Sequence, residues 1–397
     1  MRLGLTTQII IALALGAMVG WLWPAAGPSL QILATIFIRL VMVIIAPLIF
    51  STLVVGIAGQ GSLRKLGSLA LQTLGVFLIV TAVALAIGFA LGNLLQPGKG
   101  ITATLAKGAA SIGAPPVESF WVRMFPQSVF DAMARGDVLQ IVVFSVIFAV
   151  AVSLAGAAAE PVLEWCRSLA RVMYKFTDIV MLAAPIGVFG AAASLVSKQG
   201  LQVGAGFAWL MAAVYVGLAL LLLVFFPALA LLFRIPLRKL YHAAREPFAI
   251  AFATASGLAA IPKAMERMEE MGVPRSVASF TIGTGLNFNA SGSTVFLGVA
   301  SLFLLQAFGI AYTWPDQMAL FGTLFVVSKG IAGVPRASLI VIAAALPAIG
   351  IAPDVVGAGI GLILGIDPLM DMPRTATNAA GHCLFAAIIA RWQGTKL

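Results

Sequence analysis

Charged side chains are scarce in this chain. Only 10% of its 397 residues are Asp, Glu, Lys or Arg, whereas 61% are hydrophobic. A typical soluble domain carries about 25% charged residues. The composition therefore excludes an ordinary soluble globular protein and predicts a polytopic membrane protein.

Reactive and metal-binding side chains are equally rare. The chain has two cysteines, Cys166 and Cys383, and two histidines, His242 and His382. Two cysteines this far apart imply no disulfide framework. The sequence contains no HExxH, CxxC cluster, GxSxG or Walker pattern. We therefore expect neither an enzyme nor a bound cofactor or metal, and we expect His242 to lie at the surface.

Six hydrophobic runs in the first part of the chain are each long enough to cross a bilayer, which takes about 20 residues. They cover about 7–23, 32–58, 68–96, 138–157, 168–195 and 204–233. No small-residue cleavage site stands out in the first run, so we interpret it as a membrane helix rather than a signal peptide.

The net charge of +10 is compatible with a nucleic-acid partner, but the positions of the basic residues favour another origin. If the N-terminus is cytoplasmic, most Lys and Arg residues fall in cytoplasmic loops. The smaller outer group is Lys99, Lys107, Arg123, Arg135 and Lys198. This asymmetry is the positive-inside pattern. We predict a multi-pass protein of the cell (inner or plasma) membrane, in contact with lipid, with both termini cytoplasmic and no nucleic-acid partner.

After residue 240 the apolar segments become shorter and are interrupted by Gly, Ser and Pro. The interruptions read TASGLAAIP, GTGLNFNASGS and SKGIAGVPR. Irregular backbone at membrane depth is tolerated only where it lines a cavity or is covered by protein. Each break alone is compatible with an ordinary kink, but several in one half of the chain predict re-entrant hairpins and a transporter's binding site.

A row of polar residues, here called the polar stripe, runs along the last long apolar segment. Asp371, Arg374, Thr375 and Asn378 are spaced i, i+3, i+4 and i+7, so they share one face of a helix. An ionised group at the centre of a membrane helix costs about 2.5–3.5 kcal/mol. The polar stripe therefore predicts a site for a small charged ligand. The alternative is an internal Asp371–Arg374 ion pair that stabilises a helix bundle.

Four segments resemble the dicarboxylate/amino acid:cation symporter family, which contains the glutamate and aspartate transporters. They are FIRLVMVIIAPLIFSTLVVGIA in the second run, 137–155 after FPQSVFDAMARG, SKGIAGVP at 328–335, and 367–381. The resemblance implies an all-α polytopic membrane protein with eight transmembrane helices and two re-entrant helical hairpins. It also implies a homotrimer in which a transport part slides across the membrane as an elevator.

The resemblance divides the chain into regions. Scaffold helices 1 and 2 would occupy residues 1–65, and helix 3 with an extracellular loop would occupy residues 66–136. Helices 4 and 5, which belong to the scaffold and trimerisation part, would occupy residues 137–195. Helix 6 would occupy residues 196–240, and the transport core would occupy residues 241–397. Within the transport core the expected elements are hairpin 1 at about 241–269, an unwound helix 7 at about 275–309, hairpin 2 at about 316–350 and helix 8 at about 354–393.

Substrate contacts are implied where positions match the family. Arg374 would bind the substrate's side-chain carboxylate, for which a planar guanidinium is suited. Asp371 would pair with its ammonium, Asn378 with its main-chain carboxylate, and Thr375 would offer a hydroxyl. Further implied contacts are Ser256, Ser293, Ala332, Gly333 and Val334.

These matches favour symport of aspartate or glutamate. Asp371 disfavours a C4-dicarboxylate, which has no ammonium to offer a buried carboxylate. Such a dicarboxylate carrier, an uncoupled exchanger or an anion channel of the same fold remain the alternatives.

The residues that would hold sodium depart from the family pattern. The family sequence Asn-Met-Asp-Gly-Thr reads NASGS at 289–293, and a second sodium carboxylate is replaced by His382. Sodium, like other hard cations, prefers oxygen ligands that are often anionic. We therefore predict that the coupling ion is a proton, with sodium as the alternative. The altered coupling sites would comprise Gly285, Asn287, Asn289, Ser291, Ser328, Lys329, Ile331 and His382.

Two of these positions introduce groups that can carry positive charge. One hypothesis is that protonation of His382, whose unperturbed pKa is about 6.5, replaces bound sodium; the other is a histidine hydrogen-bonded within the bundle. Lys329 is either a tethered substitute for a cation or a side chain that reaches solvent at the hairpin tip.

Overall fold

The computed structural model describes residues 5–59, 63–99, 122, 125–135, 138–200, 203–330 and 337–397. All regular secondary structure in these ranges is helical, which confirms the predicted all-α class for the part described. The α-helices are numbered α1 to α17 over these residues.

The first half of the chain contributes nine helices to the described part. They are α1 Leu5–Leu22, α2 Gly27–Ala58, α3 Leu63–Leu95, α4 Val129–Arg135, α5 Val138–Ala155, α6 Glu160–Met181, α7 Ala184–Gln199, α8 Val203–Leu220 and α9 Phe226–Leu232. A π-helical turn, Leu221–Phe225, joins α8 to α9.

The second half contributes eight more. They are α10 Leu237–Thr254, α11 Gly257–Met271, α12 Arg275–Phe288, α13 Ser291–Ala307, α14 Trp314–Val327, α15 Ala337–Ala348, α16 Pro353–Leu364 and α17 Asp367–Trp392. A 3-10 turn, Ser328–Gly330, follows α14 directly.

Several helical stretches are apolar and long enough to cross a membrane. Within the described ranges they are Ser68–Leu95, Gln140–Met181, Gly206–Leu232 and Arg275–Ala307, with the bent pair Thr7–Leu22 and Pro24–Phe37 as a possible fifth. Four such stretches, or five with the bent pair, support a polytopic membrane protein. The eight transmembrane helices and two hairpins stay a prediction.

Two predicted spans are divided in the structure. The run at 168–195 forms the end of α6 and the start of α7, because Pro185 near the start of α7 has no N–H with which to continue the ladder. The helix expected at 354–393 is likewise split into α16 and α17 at Gly365 and Ile366. Pro368, in the first turn of α17, has the same effect.

Helices α13 and α17 lie at the centre of the second half of the chain. Nearly all of α13 is buried, and α17 is buried without interruption from Gly381 to Ala390. Helix α3 packs along α13, while α10, α12 and α13 pack against α17. The face of α17 that carries the polar stripe is therefore covered by protein.

The crossing of α3 and α13 depends on glycine at two positions. A Cβ on Gly88 would lie 2.4 Å from the carbonyl oxygen of Val295, and one on Gly298 would lie 2.9 Å from the carbonyl carbon of Gly88. Small residues at such crossings let two backbones approach closely, so these glycines fix the distance between the helices.

We expect Gly88→Ala to destabilise the protein by about 1–3 kcal/mol, because the added methyl group overpacks the crossing. Gly75→Ala on the same helix is the matched control, since a Cβ there has no atom within 4 Å. The control should gain up to about 1 kcal/mol from helix propensity. The thermal unfolding midpoints of the purified proteins measure both effects, and equal midpoints would contradict this account of the crossing.

Helices α10 and α11 form a pair joined by the two-residue turn Ala255 and Ser256. Ala255 adopts a left-handed conformation with φ +49°. The Ser256 hydroxyl accepts a hydrogen bond from Ala259 N at 3.4 Å and so caps α11. At the other end, Glu246 of α10 pairs with Arg267 of α11 at 2.6 Å.

Helices α14 and α15 form a second pair, connected by the 3-10 turn and residues 331–336. Helix α14 begins with a capping box. The Thr313 side chain accepts a hydrogen bond from the backbone N–H of Asp316, and the Asp316 side chain accepts one from the backbone N–H of Thr313. The predicted site residues Ile331, Ala332, Gly333 and Val334 lie outside the described residues.

Candidate functional site

A buried ion cluster occupies the first two turns of α17. Arg374 is fully buried, and its Nη2 lies 2.8 Å from a carboxylate oxygen of Asp367 and 2.8 Å from one of Asp371. The spacings of seven and three residues place all three side chains on one face of α17. Arg374 thus holds two carboxylates in the protein interior.

The guanidinium of Arg374 retains unused hydrogen-bonding capacity. Its Nε and Nη1 have no hydrogen-bond partner among the described residues. The ring of Phe296 on α13 lies 3.8 Å from the guanidinium carbon and covers one face of it. Arginine carries five N–H donors, and hydrogen bonds from a charged donor to a carboxylate are strong, so either remaining donor can bind an oxygen of an additional carboxylate.

Asn378 connects the polar stripe to the beginning of α13. Its Oδ1 accepts hydrogen bonds from Gly292 N at 2.8 Å and Ser293 N at 3.3 Å, and its Nδ2 donates to Ser293 Oγ at 3.1 Å. The first N–H groups of a helix have no partner inside that helix, so Asn378 caps α13 from a neighbouring helix. Two predicted site residues, Asn378 and Ser293, are brought together here.

Helices α12 and α13 are separated by a two-residue break, Asn289 and Ala290. His382 of α17 is buried against this break, and its Nε2 donates to the carbonyl oxygen of Asn289 at 2.9 Å. Gly285 makes room for the imidazole, because a Cβ there would lie 2.8 Å from His382 Cδ2. Three of the predicted coupling residues therefore contact one another.

Polar atoms without partners cluster at the same break. Within the described residues, both side-chain polar atoms of the buried Asn289 and the hydroxyl of the buried Ser291 lack hydrogen-bond partners. Buried polar groups are normally paired. The break thus offers polar ligands to a further group, but Ser291 brings no negative charge.

Lys329 contacts the end of α12, next to the break. It is 9% exposed, and its Nζ donates to Thr81 Oγ1 at 2.6 Å and to the carbonyl oxygen of Phe288 at 3.2 Å. The alternative in which this side chain reaches solvent is therefore wrong. Ser328 is also buried, and its hydroxyl donates to the carbonyl of Phe325 at 2.9 Å.

The remaining predicted residues are distributed differently. Thr375 is buried on α17. Asn287 packs against Gly56 of α2 and lines a cavity together with Glu164 and Arg167, so the structure places it apart from the polar stripe. The hydroxyl of Ser256 is engaged in capping α11.

Three residues of the site were not predicted from the sequence. Asp367 is the second carboxylate on Arg374, and its spacing of seven residues was a usable signal. Phe296 covers the guanidinium and Thr81 accepts from Lys329. Neither carries a distinctive local pattern, because both contacts join segments far apart in the chain.

The family model described as the sodium:dicarboxylate symporter family matches residues 5–392. This match covers nearly the whole chain and confirms the resemblance inferred from the sequence.

Three relatives cover almost the same length. The proton/glutamate-aspartate symporter of Bacillus subtilis (strain 168) is 37% identical, over 97% of this chain and 94% of its own. The proton/sodium-glutamate symport protein of Geobacillus stearothermophilus is 35% identical, over 99% of this chain and 95% of its own. The C4-dicarboxylate transport protein of Rhizobium johnstonii is 36% identical, over 98% of this chain and 89% of its own. These relatives are named as transporters, not as enzymes, as predicted.

Proposed function

Because this chain belongs to the sodium:dicarboxylate symporter family, we propose that it is a secondary active symporter of the acidic amino acids aspartate and glutamate. The observation that carries the proposal is the buried Arg374, which has spare N–H donors among the described residues beside the carboxylate of Asp371. A zwitterion with a second carboxylate matches both groups. The relative named as a proton/glutamate-aspartate symporter supports the same substrate class.

The substrate would bind across α17 and the start of α13. Its side-chain carboxylate would accept a hydrogen bond from an unused donor of Arg374, Nε or Nη1, and its ammonium would lie against Asp371. Asn378 would contact the main-chain carboxylate, and Thr375 would offer a nearby hydroxyl to the substrate. Ser256 and the backbone of 332–334 would close the site from the two hairpins, and Ser293 would line it from the start of α13.

Transport of C4-dicarboxylates is the second candidate function. One relative of comparable similarity carries that name. A specific contact also favours it, because the negative charge of Asp371 is offset by Arg374 at 2.8 Å. A dicarboxylate without an ammonium would then meet less repulsion than an unpaired carboxylate causes.

We assign the coupling to protons rather than to sodium. By the family resemblance, Ser291 and His382 stand where sodium-coupled members carry carboxylates, and neither side chain supplies an anionic oxygen. His382, bonded to the break between α12 and α13, is the candidate proton-binding group. Sodium coupling through Asn289 and backbone carbonyls is the alternative.

The wider architecture is proposed on the same basis. It comprises eight transmembrane helices, two re-entrant hairpins built from α10 with α11 and α14 with α15, and a homotrimer in the cell membrane with both termini cytoplasmic. Residues 241–397 would move as the transport core against the scaffold.

Uptake into proteoliposomes tests this function directly. We expect concentrative uptake of labelled aspartate and glutamate driven by an imposed proton gradient, with sodium replaceable by an inert cation. Succinate should compete at least tenfold more weakly. Uptake that only equilibrates the substrate would indicate an uncoupled exchanger or channel, and stronger uptake of succinate would indicate the dicarboxylate carrier.

A further inference from the structure

Among the described residues, the Lys329 ammonium contacts neutral oxygen atoms and an aromatic ring. Thr81 of α3 and the carbonyl of Phe288 supply the oxygens at 2.6 and 3.2 Å. The ring of Phe325 on α14 lies 5.1 Å from Nζ. Among the described residues no carboxylate lies within ion-pairing distance. Within the described ranges, this cation is therefore held by neutral oxygen atoms and an aromatic ring, not by a carboxylate.

The Thr81 hydroxyl is oriented as an acceptor. It donates its own hydrogen to the carbonyl of Phe77 at 2.7 Å, which leaves its lone pairs for the Lys329 ammonium. The side chain of Thr81 is buried, at 1% exposure. The hydroxyl therefore behaves as a fixed oxygen ligand directed at a positive charge.

Phe288 is the last residue of α12. The final carbonyl groups of a helix lack partners inside the helix, and the helix dipole gives this end a partial negative charge. A cation at this position is stabilised by both effects. The carbonyl of the next residue, Asn289, takes the imidazole of His382, so the end of α12 is contacted by two basic side chains.

We propose that the Lys329 ammonium is a tethered cation. It occupies a binding site for a small monovalent cation formed by α3, α14 and the end of α12. Without a dissolved ion, it connects the 3-10 turn that follows α14 to helices α3 and α12. The inference rests on the proposed transport function, because a covalently attached cation at this site would take the place of a dissolved coupling ion there.

Removing the side chain should convert this site into one that binds a free cation. In Lys329→Ala the oxygens of Thr81 and Phe288 would line a space of ammonium size, and hard cations favour such ligands. The probes are Na⁺, K⁺ and NH₄⁺ as chlorides, compared with N-methylglucamine chloride at the same ionic strength. The readout is the thermal unfolding midpoint of the purified protein in detergent.

For Lys329→Ala we expect a lower midpoint in N-methylglucamine and a saturable rise of about 2 °C or more with at least one small cation. The unsubstituted protein should show the same midpoint in all four salts. Lys329→Met fills the space with an apolar chain of similar length and should show no rescue. Thr81→Val in the Lys329→Ala background should weaken the rescue.

The proposal is overturned if Lys329→Ala responds equally to all four salts, or if the unsubstituted protein gains as much from a small cation. The yield of folded protein after extraction in each salt gives the same comparison for a variant that is unstable in N-methylglucamine. Since neither readout needs substrate, failure here is distinguishable from failure of aspartate uptake.

Discussion

Replacement of Arg374 by alanine should reduce aspartate uptake at least 100-fold. The substitution removes the donors proposed for the substrate carboxylate and leaves Asp367 and Asp371 without the cation that lies 2.8 Å from each. Removing one partner of a buried ion pair costs about 3–5 kcal/mol, and each 1.4 kcal/mol corresponds to about a tenfold change in an equilibrium constant. Uptake into proteoliposomes, normalised to folded protein, measures the effect.

Loss of fold and loss of binding must be separated, because the ion cluster is also structural. Arg374→Lys keeps a cation beside the two carboxylates but loses the additional N–H donors, Nε and Nη1, that are proposed to bind the substrate. We expect this variant to fold and still to lose at least tenfold in aspartate binding. Arg391→Ala, near the end of the same helix, is the control and should transport normally. A folded Arg374→Lys protein with normal uptake would favour the purely structural ion pair.

The polar stripe was predictable because helix geometry alone decides it. Once 367–392 is helical, positions 371, 374, 375 and 378 must share a face, and the structure places Arg374 and Asp371 in contact as that spacing requires. The interruptions at Asn289 and at the Ser328–Gly330 turn were visible for a similar reason, since Gly, Ser and Pro mark where a helix stops.

Contacts between distant segments were not predictable in this way. Whether Lys329 reaches solvent or the core depends on how α14 is placed relative to α3 and α12, which local sequence does not determine. The same holds for Asn287, which packs on α2. The split at Gly365 was missed because the apolar composition continues through it, although Pro368 marked it.

Asp371→Asn should change which substrate the protein prefers. If Asp371 pairs with the ammonium of an amino acid, the amide removes that attraction and also removes the repulsion of a C4-dicarboxylate. We expect aspartate uptake to fall about tenfold or more while succinate uptake is unchanged or rises. Competition of aspartate and succinate for uptake of each labelled compound measures the ratio.

Asp367→Asn is the matched comparison, since it removes a carboxylate at the same 2.8 Å distance from Arg374 on the same helix. The two side chains differ in access, because Asp367 is fully buried whereas the side chain of Asp371 is 7% exposed. Asp367→Asn should therefore lower uptake of both substrates by a similar factor, since it weakens only the placement of Arg374. If both variants change the ratio of aspartate uptake to succinate uptake equally, Asp371 does not bind the substrate's ammonium. A dicarboxylate carrier then becomes the better description of the protein.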